Sequence, residues 1–119
     1  MTDITIRAVK FMLMAQDMPR AVAFYRDVLG LTLSFESEHW SELTFGNAIV
    51  ALHGGGTGAT ARTGLSIQVS ELDAACQRVA ARGGRIVEPP QSRPGEPIRL
   101  AIVADTEGNE FYLTESISS

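Results

Sequence analysis

Lys10-Phe11-Met12-Leu13-Met14-Ala15-Gln16-Asp17, followed by Met18 to Tyr25 and then by Leu29-Gly30-Leu31-Thr32-Leu33, decides how this chain folds. Shifted by 54 positions, Gly64-Leu65-Ser66-Ile67-Gln68-Val69-Ser70-Glu71 leads into Leu72 to Val79 and then Gly83-Gly84-Arg85-Ile86-Val87. Each copy is an alternating apolar strand, an acidic residue, an amphipathic helix, a glycine and a second strand. Such a repeat marks one supersecondary unit used twice, each copy covering its apolar face against the other.

Outward from these stretches the elements follow from periodicity. Arg7 to Gln16 alternates with period 2, with Phe11, Leu13 and Ala15 on one face. Asp17 is placed to cap a helix whose first turn holds Pro19, where the missing N–H does no harm. Ala21, Phe24, Tyr25, Val28 and Leu29 form its apolar stripe, and Gly30 stops it. Leu31 to Phe35, Trp40 to Phe45 and Ala48 to His53 read as strands, the last two joined by a tight Gly46-Asn47 turn. Gly54 to Thr63, with four glycines and three threonines, reads as a flexible linker. The second copy predicts a strand over Leu65–Val69, a helix over Leu72–Arg82 and a strand over Arg85–Glu88. Pro89, Pro90, Pro94 and Pro97 then read as an extended mobile loop. A closing hairpin pairs Ile98–Ala104 with Glu110–Thr114 through Asp105-Thr106-Glu107-Gly108-Asn109. The expected fold is α+β: two βαβββ modules, about 7–53 and 64–116, in a single domain over 1–119. Their curved mixed sheets would form half-barrels, with helices on the outer face and a pocket on the other.

Composition narrows the function. A net charge of −4 across 119 residues, with ten scattered basic residues, argues against a nucleic-acid partner, which needs a basic face. No stretch approaches a membrane span, and Met1 to Val9 does not read as a signal peptide. A single cysteine excludes an internal disulfide and suits a reducing cytoplasm. Cys76 shares a helical stripe with Leu72, Ala75 and Val79 and reads as a buried, inert thiol.

Phe24-Tyr25-Arg26-Asp27-Val28-Leu29-Gly30-Leu31 and the Asp105-Thr106-Glu107-Gly108-Asn109 hairpin, within this duplication, resemble the glyoxalase/bleomycin-resistance/dioxygenase, or vicinal oxygen chelate, superfamily. The resemblance implies one of two roles, metalloenzyme or metal-free binding protein, and commonly a homodimer whose modules close each barrel. Its metalloenzymes carry His or Glu at four strand positions. Here those positions hold Lys10, Gly64, Ala51 and Tyr112. None is an ordinary divalent-metal ligand, and a slide of the alignment offers only His53 or Glu110. The expectation is therefore no metal and no cofactor.

Strand parity gives the pocket lining. If Phe11, Leu13, Val50, Leu52, Leu65, Ile67, Val69, Phe111 and Leu113 face the core, then Lys10, Met12, Met14, Ala51, His53, Ser66, Gln68, Tyr112 and Thr114 face the pocket. Trp40, Glu42 and Thr44 join them from the third strand. The candidate ligand-binding set is Lys10, Met12, Met14, Trp40, Glu42, His53, Ser66, Gln68 and Tyr112. Aromatic and flexible methionine surface with a few polar handles suits a small aromatic or amphipathic molecule. Plainer roles compete: His53 as an exposed rim residue, Glu42 as a structural partner of Lys10, and Trp40 as an oligomer contact.

Three functional readings follow. The first is a metal-independent pocket protein like the drug-sequestering branch of the family. The second is a lyase, isomerase or dioxygenase-type enzyme in which Glu42 or His53 acts as base and Lys10 or Tyr112 stabilises negative charge. The third is a non-catalytic interaction domain with a collapsed cavity. The long glycine-threonine linker also leaves module swapping open, and a homodimer with two pockets is expected.

Overall fold

A computed structural model describes residues 3–117. The first module is β1 (Phe11–Ala15), α1 (Met18–Ala23), β2 (Thr32–Phe35), β3 (Trp40–Phe45) and β4 (Ala48–Gly54). The second is β5 (Ala61–Gln68), α2 (Leu72–Ala81), β6 (Arg85–Ser92), β7 (Ile98–Ala104) and β8 (Asn109–Ser116). The strands form two four-stranded sheets with the same order, β1-β4-β3-β2 and β5-β8-β7-β6. In each sheet the first strand pairs parallel with the last and the remaining pairs are antiparallel. The fold is the expected α+β arrangement, with the two sheets not closed into a barrel.

Asp17 caps α1 as expected: its side chain accepts from the Arg20 N–H at 3.1 Å. The helix then widens into a π-helical turn over Phe24–Val28. In α2 the acidic residue at the equivalent place, Glu71, makes no side-chain cap. Glu115 does that work from β8, accepting from the Leu72 N–H at 2.6 Å.

Several boundaries differ from the sequence reading. β1 starts at Phe11, not Arg7, since its ladder with β4 opens at the Phe11–Val50 pair and residues 7–10 carry no strand pairing. Phe11 is 37 % exposed instead of in the core; it lies on an edge strand, where its ring borders Gly64 of the other module. The glycine-rich connection is shorter than 54–63, since β4 takes Gly54 and β5 begins at Ala61. Pro89 and Pro90 lie within β6 instead of in a loop. That strand is an edge, and its register slips between Ile86 and Glu88 and again between Glu88 and Gln91. An edge strand with bulges can spare the missing N–H groups.

The core joins both modules. Leu13, Leu43 and Leu52 pack with Met18, Ala21 and Val22 in one continuous cluster that also holds Leu72, Cys76, Val79, Val103 and Leu113. At its centre the rings of Phe24 and Phe111 meet edge to face at 6.4 Å, a pairing across modules. Gly84 sits where no side chain fits: an added Cβ would lie 2.6 Å from the Ala104 carbonyl oxygen and 2.6 Å from Val79 Cγ1. Gly84→Ala is therefore expected to cost about 1–3 kcal/mol, seen as a lower urea midpoint at unchanged slope.

Candidate ligand-binding face

The helices cover one face of each sheet and leave the other open. In the first sheet β1 and β3 flank β4, so that Met12, Ala51 and Glu42 lie in one row and Met14, His53 and Trp40 in the next. Lys10 reaches into the first row from just before β1. Its Nζ donates to Glu42 Oε2 at 2.6 Å, and the Trp40 Nε1–H donates to the same oxygen at 2.7 Å. The Lys10 ammonium stands 5.9 Å from the Trp40 ring centre, and Trp40 meets His53 edge on at 6.0 Å. The structure thus brings Lys10, Trp40, Glu42 and His53 into one cluster, with Met12 and Met14 exposed beside it. Ala51 lies in the same row but is fully buried: a methyl group between longer neighbours adds no surface to this face.

Lys10, and to a lesser extent the Trp40 indole, hold Glu42 below the usual carboxylate range. An ionised carboxylate with a lowered pKa is a good acceptor and a poor proton abstractor at neutral pH. The ammonium of Lys10 is spent on Glu42 in turn. Both side chains are partly exposed, at 39 % and 19 %, so solvent screens the pair and it adds little to stability.

In the second sheet, Ser66 lies opposite Tyr112 and Gln68 opposite Thr114, giving a second polar row on the open face. Sequence reasoning missed Arg62 there, because the residue fell within the assumed linker. Its Nε donates to Glu110 Oε1 at 2.7 Å, and Arg85 approaches the other oxygen at 3.9 Å. Carrying the alternation of Gln68, Ser66 and Gly64 back along β5 leads to Arg62. Ser66, Gln68 and Tyr112 share no hydrogen bond or ring contact with the Lys10–Glu42–Trp40 cluster. The nine candidates therefore fall into two groups, one on each sheet. A cavity of about 680 Å³ lies elsewhere, between the start of α1 and the segment from Glu36 to His39.

The four positions that correspond to metal ligands in the resembling metalloenzymes do not fit a metal. Lys10 presents a cation, Gly64 and Ala51 have no donor side chain, and Tyr112 would stand alone. Among the described residues no group of three His, Cys, Asp or Glu side chains could hold a metal ion.

The hairpin over Asp105–Asn109 has a different task. Glu107, whose side chain is fully buried, accepts from the backbone N–H groups of Gln16 and Asp17 at 2.9 and 2.8 Å. It also accepts from Arg20 Nε at 2.8 Å and from Thr106 Oγ1 at 2.6 Å. Asp105 accepts from the buried Tyr25 hydroxyl at 2.6 Å, and Asn109 Nδ2 donates to the Met14 carbonyl at 2.8 Å. Gly108 has φ +92°, and an added Cβ there would lie 2.6 Å from the Gly58 carbonyl oxygen. Asp105, Glu107 and Asn109 therefore fasten the second module onto the first. Burial, and then the adjoining Asp105 carboxylate, push the Tyr25 phenol well above its ordinary value.

The sequence profile of the Glyoxalase/Bleomycin resistance protein/Dioxygenase superfamily matches residues 7–113. The chain belongs to that superfamily. A superfamily member from Sphaerobacter thermophilus superposes with a TM-score of 0.77 at 21 % identity, over 94 % of this chain and 98 % of that one. A glyoxalase-related enzyme from Fulvimarina pelagi gives a TM-score of 0.77 at 16 % identity, over 92 % and 88 %. TnmS3, an antibiotic binding protein from Streptomyces, gives 0.74 at 22 % identity, over 98 % and 99 %. At these identities the likeness shows the fold shared within the superfamily. No curated protein matches the chain.

Proposed function

We propose that this superfamily member binds a small aromatic or amphipathic molecule on the helix-free face of its sheets, without a metal, as a homodimer. The observation that carries the reading is the cluster on the first sheet. Trp40 is fixed by Glu42, flanked by His53 and bordered by the exposed thioethers of Met12 and Met14. An oriented indole beside adaptable apolar side chains is a stacking surface for a flat ligand. The same geometry disfavours the catalytic reading, since Glu42 and Lys10 neutralise each other. An antibiotic-binding protein of the same fold supports sequestration as the biological use.

The dimer follows from the divided site. One copy leaves its half-sites open, and Phe45 at 75 % exposure, with Ile4, Ile6 and Val9 each above 70 %, offers apolar surface for a second copy. The open half-site of one protomer is thus completed by its partner.

The test is a thermal-shift screen of flat aromatic compounds against the purified protein, with light scattering and metal analysis of the same sample. A ligand at 100 times its Kd adds about 2.7 kcal/mol of stability, and Trp40→Ala should abolish that shift. A transition metal bound stoichiometrically through dialysis, or no shift from any flat aromatic, would overturn the reading. A 12.8 kDa particle in light scattering would remove the dimer from it.

A further inference from the structure

On the first sheet the donors are consumed and the acceptors are not. Lys10 Nζ and Trp40 Nε1 both donate to one oxygen, Glu42 Oε2. Its other oxygen, Oε1, receives no hydrogen bond from the described residues, although the carboxylate is held ionised and only 19 % exposed. His53 repeats the pattern. Its Nδ1 lies 2.6 Å from the Gly54 carbonyl oxygen, which can only accept, so Nδ1 carries the proton. In the neutral ring Nε2 is then a lone-pair acceptor. The two unspent acceptors belong to residues in adjacent rows of one face, each a neighbour of the Trp40 indole, and the strand rise puts those rows about 7 Å apart.

We propose that the ligand is a planar arene carrying hydrogen-bond donors, phenolic O–H or aromatic N–H, read by Glu42 Oε1 and His53 Nε2 while its ring lies against Trp40. The inference rests on the small-molecule reading above and narrows it to a chemical class. An arene bearing only ethers, ketones or a carboxylate offers nothing to either acceptor, and a carboxylate would also meet the charge of Glu42. Arenes with donors are therefore selected over their alkylated counterparts, because a site built of acceptors pays a desolvation cost for a partner that cannot donate.

The chain has one tryptophan, so its indole N–H gives a single side-chain signal in a proton–nitrogen correlation spectrum, reporting on the bond to Glu42. Titration with 2,7-dihydroxynaphthalene should shift that signal saturably, and 2,7-dimethoxynaphthalene should bind at least about tenfold more weakly. Glu42→Gln should weaken the diol by about tenfold and shrink its preference over the dimethoxy compound, because one acceptor oxygen is replaced by a donor amide. His53→Phe, which keeps an aromatic ring against Trp40, should also reduce the preference for the diol. Equal affinity of the two naphthalenes, or an unchanged preference in Glu42→Gln, would overturn the donor inference while leaving aromatic binding in place. No shift from either compound at millimolar concentration would overturn both.

Discussion

Glu107→Ala is expected to destabilise the protein by about 3–5 kcal/mol, the cost of breaking a buried, charge-assisted network by removing one partner. The variant leaves the N–H groups of Gln16 and Asp17 without their acceptor and Arg20 without its carboxylate. It also leaves a void where a fully buried side chain stood. A drop in Tm of about 10 °C or more follows for a domain of this size, measurable by differential scanning calorimetry. The effect carries a pH signature. Burial alone pushes Glu107 up, but hydrogen bonds from Arg20, Thr106 and the Asp17 N–H outweigh it and hold the group below its ordinary value of 4.5. A group whose native pKa is lowered stabilises the fold above its unfolded pKa and loses that contribution as pH falls through the native value. The gap between wild type and Glu107→Ala should therefore be full at neutral pH and narrow progressively below about pH 4.5. A constant gap would show that the loss comes from packing and not from the charge.

Asp105→Ala should cost nearly as much, about 3 kcal/mol or more, because four donors lose one acceptor group. These are the Tyr25 hydroxyl, the N–H groups of Glu107 and Asn109, and Asn109 Nδ2. Tyr25 is fully buried, so its hydroxyl cannot turn to water instead. Tyr25→Phe removes one of the four and should cost about 1–2 kcal/mol. The double variant Tyr25→Phe/Asp105→Ala should lose less than the two losses added together, since the shared bond is counted twice. Strict additivity in urea unfolding would show that the two groups do not act as a pair. The pH sign here is opposite to that of Glu107. Burial raises the Asp105 pKa against the hydrogen bonds that lower it. The protonation-linked part of its contribution is therefore full below the unfolded value and lost as pH rises through the native one, and the four hydrogen bonds are what Asp105→Ala removes at neutral pH.

The residues that made the fold legible were those whose local chemistry is self-sufficient. Asp17, Pro19 and the alternation of Leu13 and Ala15 each announce their element without help from elsewhere, and the structure places them as read. The places that resisted were decided by partners distant in sequence. Where β1 begins depends on where its ladder with β4 opens, at Phe11 opposite Val50, 39 residues later. Whether Pro89 and Pro90 can sit in a strand depends on that strand being an edge, which is a property of the sheet. The candidate face shows the same division. Parity alone gathered Lys10, Trp40 and Glu42, because period 2 fixes which way a side chain points. Parity could not show that Glu42 takes both of its hydrogen bonds on one oxygen. Nor could it show that Ser66 and Tyr112 belong to a separate group, since both facts depend on how two sheets sit in space. Arg62 was lost to a boundary error of three residues in the glycine-rich connection.

The bonds from Glu107 and Asn109 back to residues 14–17 span 91 and 95 positions, most of the chain. On a ribosome, α1 emerges well before the carboxylate that satisfies the backbone ahead of it, which follows 90 positions after Asp17. Loop closure over such a separation must precede any reward from the contact, which places this protein among slow, late-committing folders. Every nascent chain shorter than about residue 109 lacks the clasp and exposes the apolar stripe of its first helix. Chaperone engagement and protease sensitivity during synthesis should accordingly fall abruptly once the β7–β8 hairpin clears the exit tunnel.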